Sequence, residues 1–97
     1  MFSIGSKKIV SDSVVGVSGA PVRLFGLLIK SDGTGTVVNV YNGTSTGGVL
    51  MDECVGTASV VTRISYPGGL LLPAGAFLDV DAHTTYCVAI FEQVASV

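Results

Sequence analysis

The sequence predicts an all-β fold, a single antiparallel β-sandwich or jelly-roll-like domain of about eight short strands over residues 1–97. Val, Ile and Thr supply 16, 5 and 8 residues, so 29 of 97 side chains are β-branched and suit a pleated surface. Breaks rich in Gly, Pro, Asn and Ser recur at the spacing that is typical of sandwiches and barrels. No window shows the i, i+3, i+4, i+7 apolar spacing of an amphipathic helix, so we expect very little helix.

The segments between these breaks predict the strands. In chain order they are 6–11, 14–18, 22–31, 35–42, 48–53, 58–65, 77–81 and 84–94. The apolar run 70–72 is either a short extra strand or a buried plug. Within 77–81, Leu78 and Val80 alternate with Asp79 and Asp81, as in a strand with one wet face. The short connection at 81–84 has the composition of a hairpin turn, so we predict that 77–81 pairs with the final strand.

Two of the predicted strands are apolar on both faces, which a solvent-covered antiparallel strand should not be. The outer residues either pack under loops or contact another subunit, and we favour subunit contact because charge is scarce. The candidate interface residues on these strands are Phe25, Leu27, Ile29, Tyr86, Val88 and Ile90.

The charge count excludes several classes of protein. Charged residues are 12% of the chain and the net charge is −2, against about 25% charged residues in average soluble domains. Five cations cannot supply a phosphate footprint, so we expect no nucleic-acid partner. The uncharged stretches are too short, or too rich in Gly, Pro, Ser and Thr, to cross a membrane, and no signal peptide is recognisable. Other subunits are expected to cover part of the apolar surface.

Candidate chemistry is sparse, and we expect neither an enzyme nor a cofactor. Cys54 and Cys87 are expected to be reduced, buried thiols, since no secretory signal is recognisable. Their spacing also predicts no structural zinc site. Asp79, Asp81 and His83 stand at i, i+2 and i+4, which would gather a metal cluster if the strand ran that far. The favoured alternative leaves them facing solvent at a strand end and turn. Nucleophile-elbow and P-loop motifs are absent from the sequence.

Two further segments have open interpretations. The polar loop that begins at Asn42, Gly43, Thr44, Ser45 and Thr46 is either an exposed contact loop or a flexible connector. Residues 1–8 are expected to form an extended N-terminal arm, a frayed terminus or an ordinary first strand. As an arm, Phe2 and Ile4 would anchor in a neighbour while the following lysines meet an acidic surface.

Several of these segments together resemble a family of phage structural proteins. A strand that ends in Tyr41-Asn42-Gly43 is followed by a Thr/Ser/Gly loop and by Val49-Leu50; Pro-Gly turns at 67–69 and 73–75 and a closing strand at 85–92 follow. Over residues 22–92 this pattern resembles the small β-sandwich cement, or decoration, proteins of tailed-bacteriophage heads. The resemblance implies no catalytic residues. It implies a protein that binds the capsid shell in many copies and clamps neighbouring capsid subunits.

The leading hypothesis is therefore a non-enzymatic virion structural protein, made in the host cytoplasm and located on the capsid surface. Its expected partners are the major capsid protein and copies of itself in a homo-oligomer. The alternative is a sugar- or receptor-binding module of a phage tail fibre or spike. That alternative needs exposed aromatic rings beside polar groups, and it ranks second because the chain has no Trp and three Tyr.

Overall fold

A computed structural model describes residues 4–94, and these residues form eight strands and no helix. The strands are β1 (Ile4–Ile9), β2 (Ser13–Val15), β3 (Val22–Ser31), β4 (Thr36–Asn42), β5 (Val49–Gly56), β6 (Val61–Leu72), β7 (Ala76–Val80) and β8 (Thr84–Gln93).

The strands form two four-stranded antiparallel sheets that pack together. Sheet I has the order β1-β8-β3-β6 and sheet II has the order β2-β7-β4-β5. The chain pairs outward from the β4–β5 hairpin, so that β3 pairs with β6, β2 with β7 and β1 with β8. Two sheets with this strand order make a jelly-roll sandwich. The predicted all-β sandwich is confirmed.

The core lies between the sheets and follows from the two-residue period of a strand. In β4 and β7 every second side chain is fully or almost fully buried, and the residues between them face outward. The largest fully buried side chains come from both sheets, and they are Leu24, Leu27, Ile29, Leu72, Leu78, Val15, Val22, Val38 and Val40.

The predicted pairing of the last two strands is wrong, because β7 belongs to sheet II and β8 to sheet I. Their short connection crosses from one sheet to the other. The carboxylate of Asp81 accepts the backbone N–H groups of Val37 at 2.8 Å and of His83 at 2.9 Å. The backbone N–H of Thr84 then donates to the Asp81 carbonyl at 3.2 Å. These bonds hold the turn at the end of the sandwich and direct β8 into the opposite layer.

The prediction that Phe25, Leu27 and Ile29 share one face of β3 is wrong, because the strand contains a bulge. The register with both neighbouring strands shifts between Leu24 and Gly26, so one extra residue is inserted there. Leu27 and Ile29 consequently point into the core, where they are buried, and they are not interface residues. Phe25 stays half-buried at the bulge.

The predicted break at 66–69 is a bulge within one strand. β6 pairs with β3 on both sides of it, since Leu24 faces Leu70 and Gly26 faces Ser65. Gly68 and Gly69 adopt φ of +78° and +88°, a region that glycine enters without steric cost. The apolar run 70–72 is therefore the end of β6 and not a separate strand.

The first described residues form a strand and not a free arm. Ile4 through Ile9 pair residue by residue with β8, from Ile4 opposite Glu92 to Ile9 opposite Cys87. Ile4 is thus an exposed residue of an edge strand. Phe2 lies outside the described residues.

Candidate interaction surfaces

The most apolar exposed surface lies along β5 and β6, which are the edge strands of the two sheets on one side of the sandwich. Ten large apolar side chains are strongly exposed in residues 4–94, and seven of them lie on or between these two strands. We call this group the β5–β6 edge, and it consists of Val49, Leu50, Met51, Val55, Val60, Val61 and Leu71. Exposed edge strands offer unpaired backbone groups, and clustered apolar surface marks interaction sites.

A polar cluster joins the two strands beneath this edge. The Tyr66 hydroxyl donates to Oδ2 of Asp52 at 2.7 Å, and Sγ of Cys54 lies 3.4 Å from the same hydroxyl. Asp52 can reach Tyr66 because it pairs with Val40, an inward-facing residue of β4, and so lies on the inner side of β5. The cluster closes the end of the hydrophobic core at this side of the sandwich.

Neither Cys54 nor Cys87 is activated as a thiolate nucleophile. Burial raises the pKa of Cys54 to about 11, even though the hydrogen bond with Tyr66 opposes the shift. Burial, with the nearby Cys54, raises the pKa of Cys87 to about 12. Burial and its hydrogen-bond partners also raise the pKa of the Tyr66 hydroxyl. Both cysteines are free and buried, which confirms the expectation of reduced thiols.

The outer face of sheet I is apolar at its centre and basic around it. A cross-strand row runs Lys8, Val88, Leu28 and Arg63 over all four strands. The next row adds Tyr86, Lys30 and Val61. We call these seven residues, together with Ile90, the basic face. The predicted interface residues Tyr86, Val88 and Ile90 therefore lie on one outward face, half-buried by their neighbours.

The basic side chains on this face are weakly engaged by the protein itself. The ammonium of Lys8 lies 5.1 Å from the centre of the Tyr86 ring, a cation–π contact. Lys30 donates to the Ser59 carbonyl at 2.9 Å. The only acidic residue on sheet I is Glu92, and its carboxylate lies 3.6 Å from Nε of Arg23. The three cations of the basic face, Lys8, Lys30 and Arg63, therefore have no carboxylate partner among residues 4–94.

The outer face of sheet II carries the opposite charge. Asp79, Asn39 and Glu53 form one row across β7, β4 and β5. The side chain of Asp12 lies beside this row, where it accepts the Val80 N–H at 2.9 Å. Partial burial, together with the charge of Asp12, raises the pKa of Asp79. No Lys or Arg occurs on any strand of this sheet.

Aromatic and aliphatic side chains flank this acidic row. Phe77 of β7 faces Tyr41 of β4, with ring centroids 6.4 Å apart and planes tilted by 55°. Val37 extends the apolar surface on the other side of the row. We call the outward residues Asp79, Asn39, Glu53, Tyr41, Phe77 and Val37, with Asp12, the acidic face.

The structure separates the three residues of the hypothetical metal cluster. Asp79 points out of sheet II, whereas Asp81 turns back to bond Thr36, Val37, His83 and Thr84. His83 lies 3.2 Å from Asp32, through Nδ1 and Oδ2. Among residues 4–94, no three His, Cys, Asp or Glu side chains converge as metal ligands.

The predicted exposed loop is partly tied down. Oδ1 of Asn42 accepts the Ala74 N–H at 2.8 Å, and the Gly43 N–H donates to the Gly75 carbonyl at 3.0 Å. Asn42 and Gly43 are half-buried and link the β4–β5 hairpin to the turn before β7. Thr44, Ser45 and Thr46 form the exposed tip.

Sequence reasoning missed the β5–β6 edge. The signal was present in consecutive apolar residues, namely Val49, Leu50 and Met51, and Val60 and Val61. Neighbouring residues of a strand face opposite sides, so packing against the other sheet cannot bury all of them. Asp79 was likewise seen only as part of a strand alternation, and Glu53 was not singled out.

Comparisons of the chain with family models, with curated proteins and with solved structures found no match. None of the described residues belongs to a helix that could cross a membrane.

Proposed function

We propose that this chain is a non-enzymatic structural protein of a bacteriophage virion, a cement protein that binds the capsid surface in many copies. In this role it clamps neighbouring subunits of the major capsid protein. The observation that carries the proposal is the β5–β6 edge, where seven large apolar side chains remain 41–64% exposed.

An edge of this kind suits a lasting protein contact. Permanent interfaces are more apolar than ordinary surfaces. A partner segment can also add as a further strand, so that its backbone bonds the free edge while the side chains pack on alternate sides. The hydrogen bond between Tyr66 and Asp52 closes the core behind the edge. The exposed apolar residues are therefore not needed to cover the core and can contact a partner.

The fold is compatible with this role. Eight-stranded jelly rolls occur in viral capsid domains, although they also occur in lectins, so the architecture by itself fixes no function. The combination of this sandwich with low charge and an apolar edge favours a role in a protein assembly over catalysis by a free protein in solution.

A second candidate is a sugar- or receptor-binding module of a tail fibre or spike. The Tyr41–Phe77 pair favours it, because the two rings lie on the outer face of sheet II beside the polar side chains of Asn39 and Asp79. Aromatic surface next to hydrogen-bonding groups is the arrangement that carbohydrate recognition requires.

Co-sedimentation separates the two candidates. The purified protein is mixed with empty shells assembled from the major capsid protein of the same phage, and the same preparation is applied to a glycan array. We expect the protein to pellet with the shells in a saturable, fixed ratio and to leave the array unlabelled. A protein that stays in the supernatant and binds glycans would support the second candidate and reject the first.

A further inference from the structure

We propose that copies of this protein associate head to tail, with the basic face of one copy on the acidic face of the next. This contact uses the outer faces of the two sheets, which share only their margins, at Val61, Val55 and Leu50, with the β5–β6 edge. It does not depend on the capsid, and it is tested without one.

The distribution of charge carries the argument. All five Lys and Arg residues lie on strands of sheet I, and six of the seven Asp and Glu residues lie on sheet II or in loops. Glu92, the exception, is already paired with Arg23. A chain with a net charge of −2 therefore presents one positive and one negative face. Such faces attract each other and repel themselves, which favours unlike over like contacts.

The spacing of the charges fits a face-to-face contact. Lys8 and Arg63 lie on the two outermost strands of sheet I, about 14 Å apart at about 4.8 Å per strand spacing. Asp79 and Glu53 lie on β7 and β5 with only β4 between them, about 10 Å apart on the same basis. Long Lys and Arg side chains can lean inward by the remaining few ångströms while their alkyl stems stay on apolar surface.

Apolar groups lie between the charges on the basic face and beside them on the acidic face. Val88 and Leu28 separate Lys8 from Arg63 on the basic face. On the acidic face, Tyr41 and Phe77 lie one row away from Asp79. Contact between the faces would remove this half-exposed surface from water and place each cation beside a carboxylate.

The expected contact is weak for a single pair of molecules. A face four strands wide and about seven residues long in each strand covers about 450 Å². Two such faces together bury about 900 Å². Stable interfaces bury about 1,200–2,000 Å². The affinity therefore depends on low salt and on repetition of the contact.

The geometry also sets the type of assembly. The two faces are on opposite sides of the sandwich, so the contact is heterologous and leaves a free face at each end of a dimer. Repetition produces a ring if the rotation closes and a filament if it does not. In either case the free backbone edges of β5 and β6 stay on the side of the assembly.

Sedimentation velocity of matched charge variants tests this arrangement. The basic-face variant carries Lys8→Gln and Arg63→Gln, and the acidic-face variant carries Glu53→Gln and Asp79→Asn. Wild-type protein is expected to form oligomers at low ionic strength that dissociate as salt rises, because the Debye length falls from about 30 Å at 0.01 M to about 3 Å at 1 M. Each removed ion pair should weaken association by up to about fivefold.

Mixing the two variants is the decisive step. Each variant alone should sediment as a monomer, but the basic-face variant keeps an intact acidic face and the acidic-face variant keeps an intact basic face. Their mixture should therefore form a 1:1 dimer and no larger species. The control Lys7→Gln removes a cation whose Nζ donates to the Val14 carbonyl at 3.0 Å, away from the basic face, and should oligomerise like the wild type.

Three results would overturn the proposal. They are a wild-type protein that stays monomeric at low salt, variants that still oligomerise alone, and a mixture that stays monomeric although both variants give the wild-type circular dichroism spectrum. None of them bears on shell binding, so they are distinct from a failure of the proposed function.

Discussion

The hydroxyl of Tyr66 donates a hydrogen bond of 2.7 Å to Oδ2 of Asp52 and thereby joins β6 of sheet I to β5 of sheet II. Both residues belong to edge strands, so this bond closes the side of the sandwich where the seven exposed apolar residues lie. A buried polar group without a partner is costly, and here each group satisfies the other.

Removal of this hydroxyl should destabilise the fold. Tyr66→Phe leaves the partly buried carboxylate of Asp52 without its strongest partner, and we expect a loss of about 1–3 kcal/mol in the free energy of unfolding. Urea unfolding followed by circular dichroism measures the change. Tyr86→Phe is the matched control, since its ring lies on the outer face of sheet I, and its effect should stay below about 0.5 kcal/mol. Equal effects of the two substitutions would contradict the assigned role of Tyr66.

Gly26 should tolerate no side chain. A Cβ at this position would stand 2.7 Å from the Ile64 carbonyl oxygen of the neighbouring strand, whereas a Cβ at Gly5 would meet nothing within 4 Å. Gly26→Ala is expected to destabilise by about 1–3 kcal/mol because the β3–β6 ladder must shift. Gly5→Ala should be neutral within about 0.5 kcal/mol. Thermal unfolding of both variants provides the comparison, and an unaffected Gly26→Ala protein would refute the close strand approach.

The Asp81 turn predicts a specific loss of stability in acid. Partial burial raises the pKa of Asp81, but hydrogen bonds from Thr36, Val37 and His83 outweigh it and hold the pKa below 3.8. The stabilisation is therefore complete above pH 3.8 and is lost as pH falls through the lower folded-state pKa. Asp81→Asn should lower stability at neutral pH by about 1–3 kcal/mol and flatten this part of the pH profile. An unchanged slope in the variant would contradict the assignment.

The two thiols should react slowly in the folded protein. At pH 8 a thiol with a pKa near 11 is ionised about 100-fold less than one near 9, and burial restricts access further. We expect Cys54 and Cys87 to react with an aromatic disulfide reagent at least about 100-fold more slowly in buffer than in denaturant. Rapid labelling of the native protein would show that the Cys54–Tyr66 region opens.

The strands that could be predicted from the sequence are those whose residues alternate or whose ends carry turn residues. β3, β4, β7 and β8 were placed within one residue at each end for this reason. The bulge at Phe25 was not predictable, because it is defined by the pairing of β3 with β6 and β8, two strands that are remote in sequence. The crossing from β7 to β8 was missed because the same short turn composition serves a hairpin or a change of sheet.

The interaction surfaces depend even more on topology. The grouping of Tyr86, Val88 and Ile90 on one face could be predicted from β8 alone, since alternate positions of one strand share a face. The β5–β6 edge was not, because only the strand order makes β5 and β6 edges on the same side of the sandwich. The opposite charges of the two faces likewise appear only after each strand is assigned to its sheet.

Shell co-sedimentation of two valine variants tests whether the β5–β6 edge binds the capsid. Val55 on the β5–β6 edge and Val17 on the loop after β2 are both 62% exposed, so Val55→Asp and Val17→Asp introduce the same charge at equal exposure. We expect both variants to fold, Val17→Asp to pellet with capsid shells like the wild type, and Val55→Asp to bind at least about tenfold more weakly. Equal shell binding by Val55→Asp and the wild type would contradict binding through this edge.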